Sequence, residues 1–521
     1  MTRAAWLLSS LLLLGGCPSR SDSRFCSSTS PCKDPAFPFC DEIASECESS
    51  PIVGVVDLAM PISVDVDLAV NVDMSLPVDL TIPPDLTPMC VSSATCADPL
   101  SPVCDGTTAT CRACSGAGDN AACAMHGALV CRLAGLNAGR CTACNVDADC
   151  GQQLCGSDGA CHPCTASSEC ASGVCDLRTA PTSGQCVTAS DIVYVDNDPS
   201  VKCGTATGSI ATPYCQISTA MANLGTKHFI KVAGSMTDYD KVDYYVNTAA
   251  IAVSITGPGR NAVPPATIKA PNNDNTIYVV PDVDTVAVDF TFDGFVFSGS
   301  NRRTIVCSGS DAAPAKLTIR NSLIKGGTTG VDVNHASVML TENVFQGGSG
   351  FGVTFGTKAD WVFRNNLVSG YHDGGVEITN DSGTGSFLFN TLSLNGNGTV
   401  AGGVSVAKAT TLSSSIIAGN TRTMGPGATQ FDGGGAITLD HVATGTDAIV
   451  STGKLSGDPV FRSITGTVDL RLKISAPADV TANRACCIDQ VSTAVKNPGV
   501  DFERDARPIG PSLDVGGDEA L

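Results

Sequence analysis

Short strings of alternating apolar and polar residues recur along the second half of the chain. Thr318–Gly326 (TIRNSLIKG), Leu340–Gly347 (LTENVFQG), Phe363–Gly370 (FRNNLVSG) and Leu388–Gly396 (LFNTLSLNG) align beneath one another. Their apolar positions Leu323, Val344, Leu367 and Leu392, with Ile416 beyond, recur at gaps of 21, 23, 25 and 24 residues. Phe292–Phe297 reads as an earlier copy. Between these strings comes a second one: Gly330–Val333 (GVDV), Gly352–Phe355 (GVTF), Gly375–Ile378 (GVEI) and Gly403–Val406 (GVSV). Each is a glycine turn followed by in-out-in alternation, the mark of a half-buried strand. Two short strands per repeat of about 23 residues predict one coil of a solenoid, with each coil hydrogen-bonding the next. Val331, Val353, Val376 and Val404 are then an inward column. Asp332, Thr354, Glu377 and Ser405 face out. The predicted fold class is all-β, a right-handed parallel β-helix over 191–485 on an N-terminal disulfide-rich stalk.

Asn321, Asn365 and Asn390 are expected at one place in their coils, with Asp293 and Glu342 there in others. Stacked side-chain amides at a tight turn bond along the axis. That pattern resembles the asparagine ladders of pectate-lyase-like β-helices. The end of the chain, with Gly457–Phe461 (GDPVF), Leu470–Pro477 (LRLKISAP) and then Asp501, Arg507, Pro508, Asp514 and Glu519, resembles the closing segment of bacterial surface β-helix proteins of the choice-of-anchor type. Ala478-Asp479-Val480 and Gly517 depart from that pattern. The resemblance covers about 190–521 and implies a fold rather than a chemistry, because this architecture hosts lyases, hydrolases and adhesins. A closing segment is expected over 486–521. A short helix carrying Ile217, Ala220, Met221 and Leu224 on one face is expected to cover the first coil.

The first half is different in kind. Of 26 cysteines, only five lie beyond residue 190. After Cys17 they fall into quartets. Cys26, Cys32, Cys40 and Cys47 have the same gaps as Cys90, Cys96, Cys104 and Cys111, and three more quartets run to Cys186. Such small modules bury too little to fold alone, so disulfides must hold them, in any of three connectivities per quartet. The pairs Cys111/Cys114, Cys141/Cys144 and Cys161/Cys164 are spaced like zinc or redox sites. Each straddles a module boundary, which favours structural disulfides. Modules are placed at 17–47 and 90–187, separated by a Pro/Asp-rich spacer at 48–89. A disulfide between Cys203 and Cys215 is expected to open the β-helix region. No metal and no cofactor is expected.

Arg3 and the apolar run Ala4–Leu14 read as an export signal, residues 1–16. Leu14-Gly15-Gly16-Cys17 resembles a bacterial lipobox, which implies cleavage before Cys17 and its lipidation. Pro18, where inner-membrane retention favours Asp, implies outer-membrane sorting or cell-surface display in a Gram-negative envelope. The expected partners are the membrane, through the lipid, and a polysaccharide or another cell surface. A net charge of −20 argues against nucleic acid.

Candidate chemistry is sparse. The repeats hold no Asp-Asp pair, no Gly-His-Gly and no Arg-x-Lys, the motifs that pectin-cleaving enzymes would lead one to expect. The residual candidates are Asp332 and Glu377, two coils apart on one outward strip. Their Cα atoms are then ~9–10 Å apart, near the spacing of an inverting carboxylate pair. His372 and Asp373 precede Glu377, and Trp361 or Tyr371 is a candidate to stack on a sugar. The expected function is a non-enzymatic envelope lipoprotein presenting its β-helix for adhesion or glycan contact. The alternative is a tethered polysaccharide lyase or glycoside hydrolase.

Overall fold

The structure is a computed structural model. It describes residues 39–41, 46–48 and 90–517, except 135–136, 179–180, 202–204, 245–249, 282–285, 380, 399, 423–429, 434–435, 446–453, 456, 465–468, 474, 489, 492–500, 502, 505–506 and 508–511. Cys17, Cys203 and residues 49–89 of the expected spacer lie outside these. The chain divides into two units, Met1–Pro83 and Pro84–Leu521. In the first, Phe39–Asp41 pairs antiparallel with Glu46–Glu48, setting Cys40 opposite Cys47. Among the described residues no helix is long and apolar enough to cross a membrane.

The second unit is all-β and is dominated by a parallel solenoid of three sheets, two of ten strands and one of eight. Each coil contributes one strand to each sheet. One coil runs Ala315–Arg320 in sheet 1, Leu323–Lys325 in sheet 2 and Val331–Asn334 in sheet 3. The next starts at Ala336–Thr341, back in sheet 1. Three strands per coil replace the two expected. Strings such as Thr318–Gly326 are two strands broken by one left-handed residue. That residue is Asn321, Glu342, Asn365, Phe389, Ser414 or His441 in successive coils, all with φ between 47° and 59°. Because the break has no fixed residue type, the string reads as continuous.

Inward columns fill the solenoid. In sheet 1, Ile230, Ile255, Phe292, Ile319, Leu340, Phe363, Phe387, Leu412 and Leu439 stack in register and are buried. In sheet 2 the column is Ile268, Phe297, Ile324, Phe345, Val368, Leu392 and Ile417. In sheet 3, Val331, Val353, Val376 and Val404 stack fully buried, as their alternation requires. Each such side chain contributes about 1.5–3 kcal/mol by leaving water. Cys307 occupies an inward place between Val279 and Val333 and acts as a small apolar side chain, its thiol pKa pushed up by burial.

Leu392 is therefore inward, whereas Leu323, Val344 and Leu367 point out of sheet 2. The end of the chain covers Val344 and Leu367. Leu367 packs with Leu470, Val344 and Phe461. Ile416 and Phe389 pack with Leu472, Cys486, Cys487, Leu513 and Val515. At the other end the helix Ile217–Ala222 buries Ile217 and Ala220 against the first coils.

The asparagine ladder lies one residue beyond the expected place in three of the coils. Its rungs are Ser322, Asn343, Asn366, Asn390 and Ser415, whereas Asn321, Glu342 and Asn365 are the left-handed residues just before them. The Asn343 backbone N–H donates to Asn366 Oδ1 at 3.0 Å, and the Asn366 N–H to Asn390 Oδ1 at 3.0 Å. Asn366 Nδ2 donates to the Leu340 carbonyl at 2.9 Å. A second ladder, Asn395 to Asn420, joins later coils at 3.0 Å.

The four described Cys-rich modules share one connectivity, first to third and second to fourth. The bonds are Cys90–Cys104 and Cys96–Cys111, Cys114–Cys131 and Cys123–Cys141, Cys144–Cys155 and Cys150–Cys161, and Cys164–Cys175 and Cys170–Cys186. They close loops of 11 to 18 residues, worth about 3 kcal/mol each in the chain-entropy account. Sulfurs close enough to share a metal are thus joined in pairs. Cys215 is disulfide-bonded, and so is the neighbouring pair Cys486–Cys487.

Candidate functional site

The outward strip of sheet 3 follows from its register. Asp243, Tyr278, Val306, Asp332, Thr354, Glu377, Ser405 and Asp432 lie one per coil in a single column. Asp332 and Glu377 thus share the strip with Thr354 between them. Thr354 Oγ1 donates to Glu377 Oε2 at 3.3 Å.

The two carboxylates differ from simple solvent-facing groups. Asp332 is only 7% exposed, which corrects the expectation that it touches water freely. Arg303, from the turn one coil below, reaches over it and pairs at 3.0 Å, and Asn334 Nδ2 donates at 3.3 Å. Burial pushes the Asp332 pKa up, opposed by Arg303 and Asn334. Glu377 is half-buried. Burial also raises its pKa, the Thr354 hydroxyl opposes this, and the charges of Asp332 and Asp373 add to it. His372 pairs with Asp373 at 2.9 Å and makes no ion pair with Glu377.

The aromatic expectation changes as well. Trp361 is 5% exposed and stacks on Phe355 inside the solenoid, with ring centroids 4.4 Å apart. Tyr371 is 1% exposed. Neither lies on the outward strip of sheet 3. The aromatic on the outward strip is Tyr278, half-buried, which sequence reasoning missed. It lines a hollow of about 610 Å³ with Asp243, Asp274, Asn301, Arg302, Arg303 and Thr328. Lys241 bridges Asp243 at 2.6 Å and Asp274. Arg302 Nε donates to Asn273 Oδ1 at 3.4 Å. The available signals were Tyr278 in the middle of the Ile-Tyr-Val alternation at 277–279 and the adjacent arginines at 302–303.

The arrangement offers a flat ring, amide and hydroxyl groups, and charges already paired with one another. Chemically, such a surface has groups for stacking and for planar hydrogen bonds. Its two central carboxylates sit ~9–10 Å apart at Cα, counted as two coil spacings. No curated protein matches the chain. Residues 277–443, the coils that carry this strip, match the family model of the right handed beta helix region.

Proposed function

We propose that this chain is an envelope lipoprotein, tethered through lipid on Cys17, that holds out sheet 3 of its β-helix as a saccharide-contact surface and does not cleave what it binds. The observation that carries this reading is Tyr278, half-buried at the lining of a polar hollow beside Arg302, Arg303 and Asn301. An aromatic face flanked by planar donors is the chemistry that pyranose rings use. The setting of Asp332 supports binding without turnover. Its carboxylate is buried and committed to Arg303 and Asn334, so it is poorly placed to activate a water. The acidic surface and the Cys17 motif support an exported, membrane-tethered location at the outer membrane or cell surface.

One observation favours a tethered lyase or hydrolase instead. Glu377 has a pKa raised by burial, which suits a general acid. A panel of immobilised saccharides, probed with the full chain and with Tyr278→Ala, separates the readings when bound material is also analysed by size. Binding lost in Tyr278→Ala, with the saccharide intact, is expected. Cleavage that disappears in Glu377→Gln favours the enzyme.

A further inference from the structure

The outer face of sheet 1 is covered over its first coils and open beyond them. Its first four strands are Ile192–Val195, Phe229–Val232, Ile251–Thr256 and Val288–Asp293. Register sets Ile192, Phe229, Ser254, Thr291, Thr318 and Met339 in one outward column. Lys231, Thr256 and Asp293 stand in register beside it. The first four members of the longer column are buried, Thr318 is half-buried and Met339 is exposed.

The cover is the last Cys-rich module, residues 164–186. Over the first two coils its contact is apolar. Val174 and Val187 pack with Ile192 and Phe229, and the Arg178 guanidinium lies over the Phe229 ring at 4.4 Å. Farther along, the contact turns polar. Lys231 Nζ donates to the Ser172 carbonyl at 2.7 Å, and the Ser167 hydroxyl donates to Asp293 Oδ2 at 3.1 Å. Ser254 and Thr256 lie on the coil between those of Lys231 and Asp293. Both are buried, and among the described residues neither hydroxyl has a hydrogen-bond partner. A face that stays permanently dry is apolar or has its hydroxyls paired, because burying an unpaired hydroxyl is costly. Ser254 and Thr256 are instead the side chains of a water-facing sheet. Exposing them restores their hydration and offsets part of the loss of the polar contacts.

The way the module is held permits that exposure. Cys164–Cys175 and Cys170–Cys186 tie it into one body. The chain that joins it to the solenoid, 187–191, leaves at the apolar edge, beside Val187 and Ile192. Asp293 is three coil spacings away from Ile192, ~14 Å. At that far edge a hollow of about 520 Å³ separates Thr165, Ala166 and Glu169 of the module from Arg320 and Thr341 of the sheet. Rotation about the apolar edge therefore keeps Val174 and Val187 in place and breaks the Ser167–Asp293 and Ser172–Lys231 contacts.

We propose that the last Cys-rich module is a hinged cover on sheet 1, turning about Val174 and Val187, with Ser167 on Asp293 as its catch. Opening joins Ser254 and Thr291 to the strip already open at Thr318 and Met339.

Thiol labelling of the full chain with a maleimide, without reductant, tests this. Ser254→Cys places a thiol beneath the cover. Native Cys307, buried inside the solenoid, reports global unfolding. Ser337→Cys, on the exposed part of sheet 1, sets the rate of an open thiol. The Ser254→Cys thiol is expected to react more slowly than that of Ser337→Cys and at least about ten-fold faster than Cys307, since local opening costs less than global unfolding. Adding Ser167→Ala should speed it by roughly ten-fold, the scale of a hydrogen bond to a charged group, with Cys307 still unlabelled. Lys231→Met should act in the same direction and gives the reading if Ser167→Ala does not fold; Thr256→Cys replaces Ser254→Cys on the same ground. Labelling in step with Cys307 would overturn the proposal, and so would labelling as fast as Ser337→Cys. A rate that neither Ser167→Ala nor Lys231→Met changes in folded protein would overturn it as well.

Discussion

Replacing Asn366 by Leu, an apolar side chain of similar size, should destabilise the β-helix far more than replacing its neighbour Asn365 by Gly. Asn366 is fully buried, and its Oδ1 accepts from the Asn343 backbone N–H at 3.0 Å and from Asn343 Nδ2 at 3.2 Å. Its Nδ2 serves the Leu340 carbonyl at 2.9 Å and Asn390 Oδ1 at 3.1 Å. Leucine leaves a buried N–H, a buried carbonyl and two amide groups short of partners. At about 1–3 kcal/mol for each stranded group, with neighbouring carbonyls partly compensating, the loss should be on the order of 3–5 kcal/mol. Asn365 has φ of 54°, where an L side chain is strained and glycine is not. Asn365→Gly should therefore fall within about 1 kcal/mol of the parent. Urea unfolding of each variant, followed by far-ultraviolet circular dichroism, reads both numbers. If Asn365→Gly proves the worse of the two, the ladder stands at the other residue and the coil register is off by one.

Other outcomes follow from the same geometry. Val376→Asp buries a charge without a partner in the sheet 3 core and should unfold or aggregate the protein, whereas Glu377→Gln should express as soluble, folded chain; size-exclusion chromatography distinguishes them. Glu377 has a folded pKa above its unfolded one, so its contribution grows less favourable as pH rises from about 4, the ordinary range for a free glutamate. Glu377→Gln should hence melt higher than the parent at pH 7, and the gap should close below about pH 4; a gap that widens on acidification contradicts the assigned direction. Cys17→Ser should release the protein from membranes and abolish fatty-acid labelling, and unchanged labelling would mean that Cys17 carries no lipid. Peptide mapping without reduction should recover Cys144–Cys155 and Cys150–Cys161 rather than any other pairing of that quartet.

Four coils of sheet 3 were legible in the sequence because their strands follow a glycine turn and keep a strict alternation, so Val331, Val353, Val376 and Val404 declare one face. Sheet 2 was hidden for two reasons. The left-handed break before it is Asn, Glu, Phe, Ser or His in different coils, and no residue type marks it. Its outer face is apolar as well, because residues from 461 onward lie over Val344 and Leu367. Periodicity cannot tell a strand buried on both faces from the inward half of a longer one. The burial of Asp332 was illegible because it depends on Arg303, 29 residues earlier and on another coil. The cysteine quartets gave the modules but not their connectivity, since equal spacing fits all three pairings. Tyr278 stood in plain alternation, and only the neighbours that surround it distinguish it from an ordinary outward residue.

The most direct measurement is a crystal structure of the chain with the saccharide that the panel selects. An intact saccharide with a ring against Tyr278, beside Arg302 and Arg303 on sheet 3, is the predicted result. A saccharide cleaved next to Glu377, or one seated away from sheet 3 with Tyr278 untouched, would contradict it.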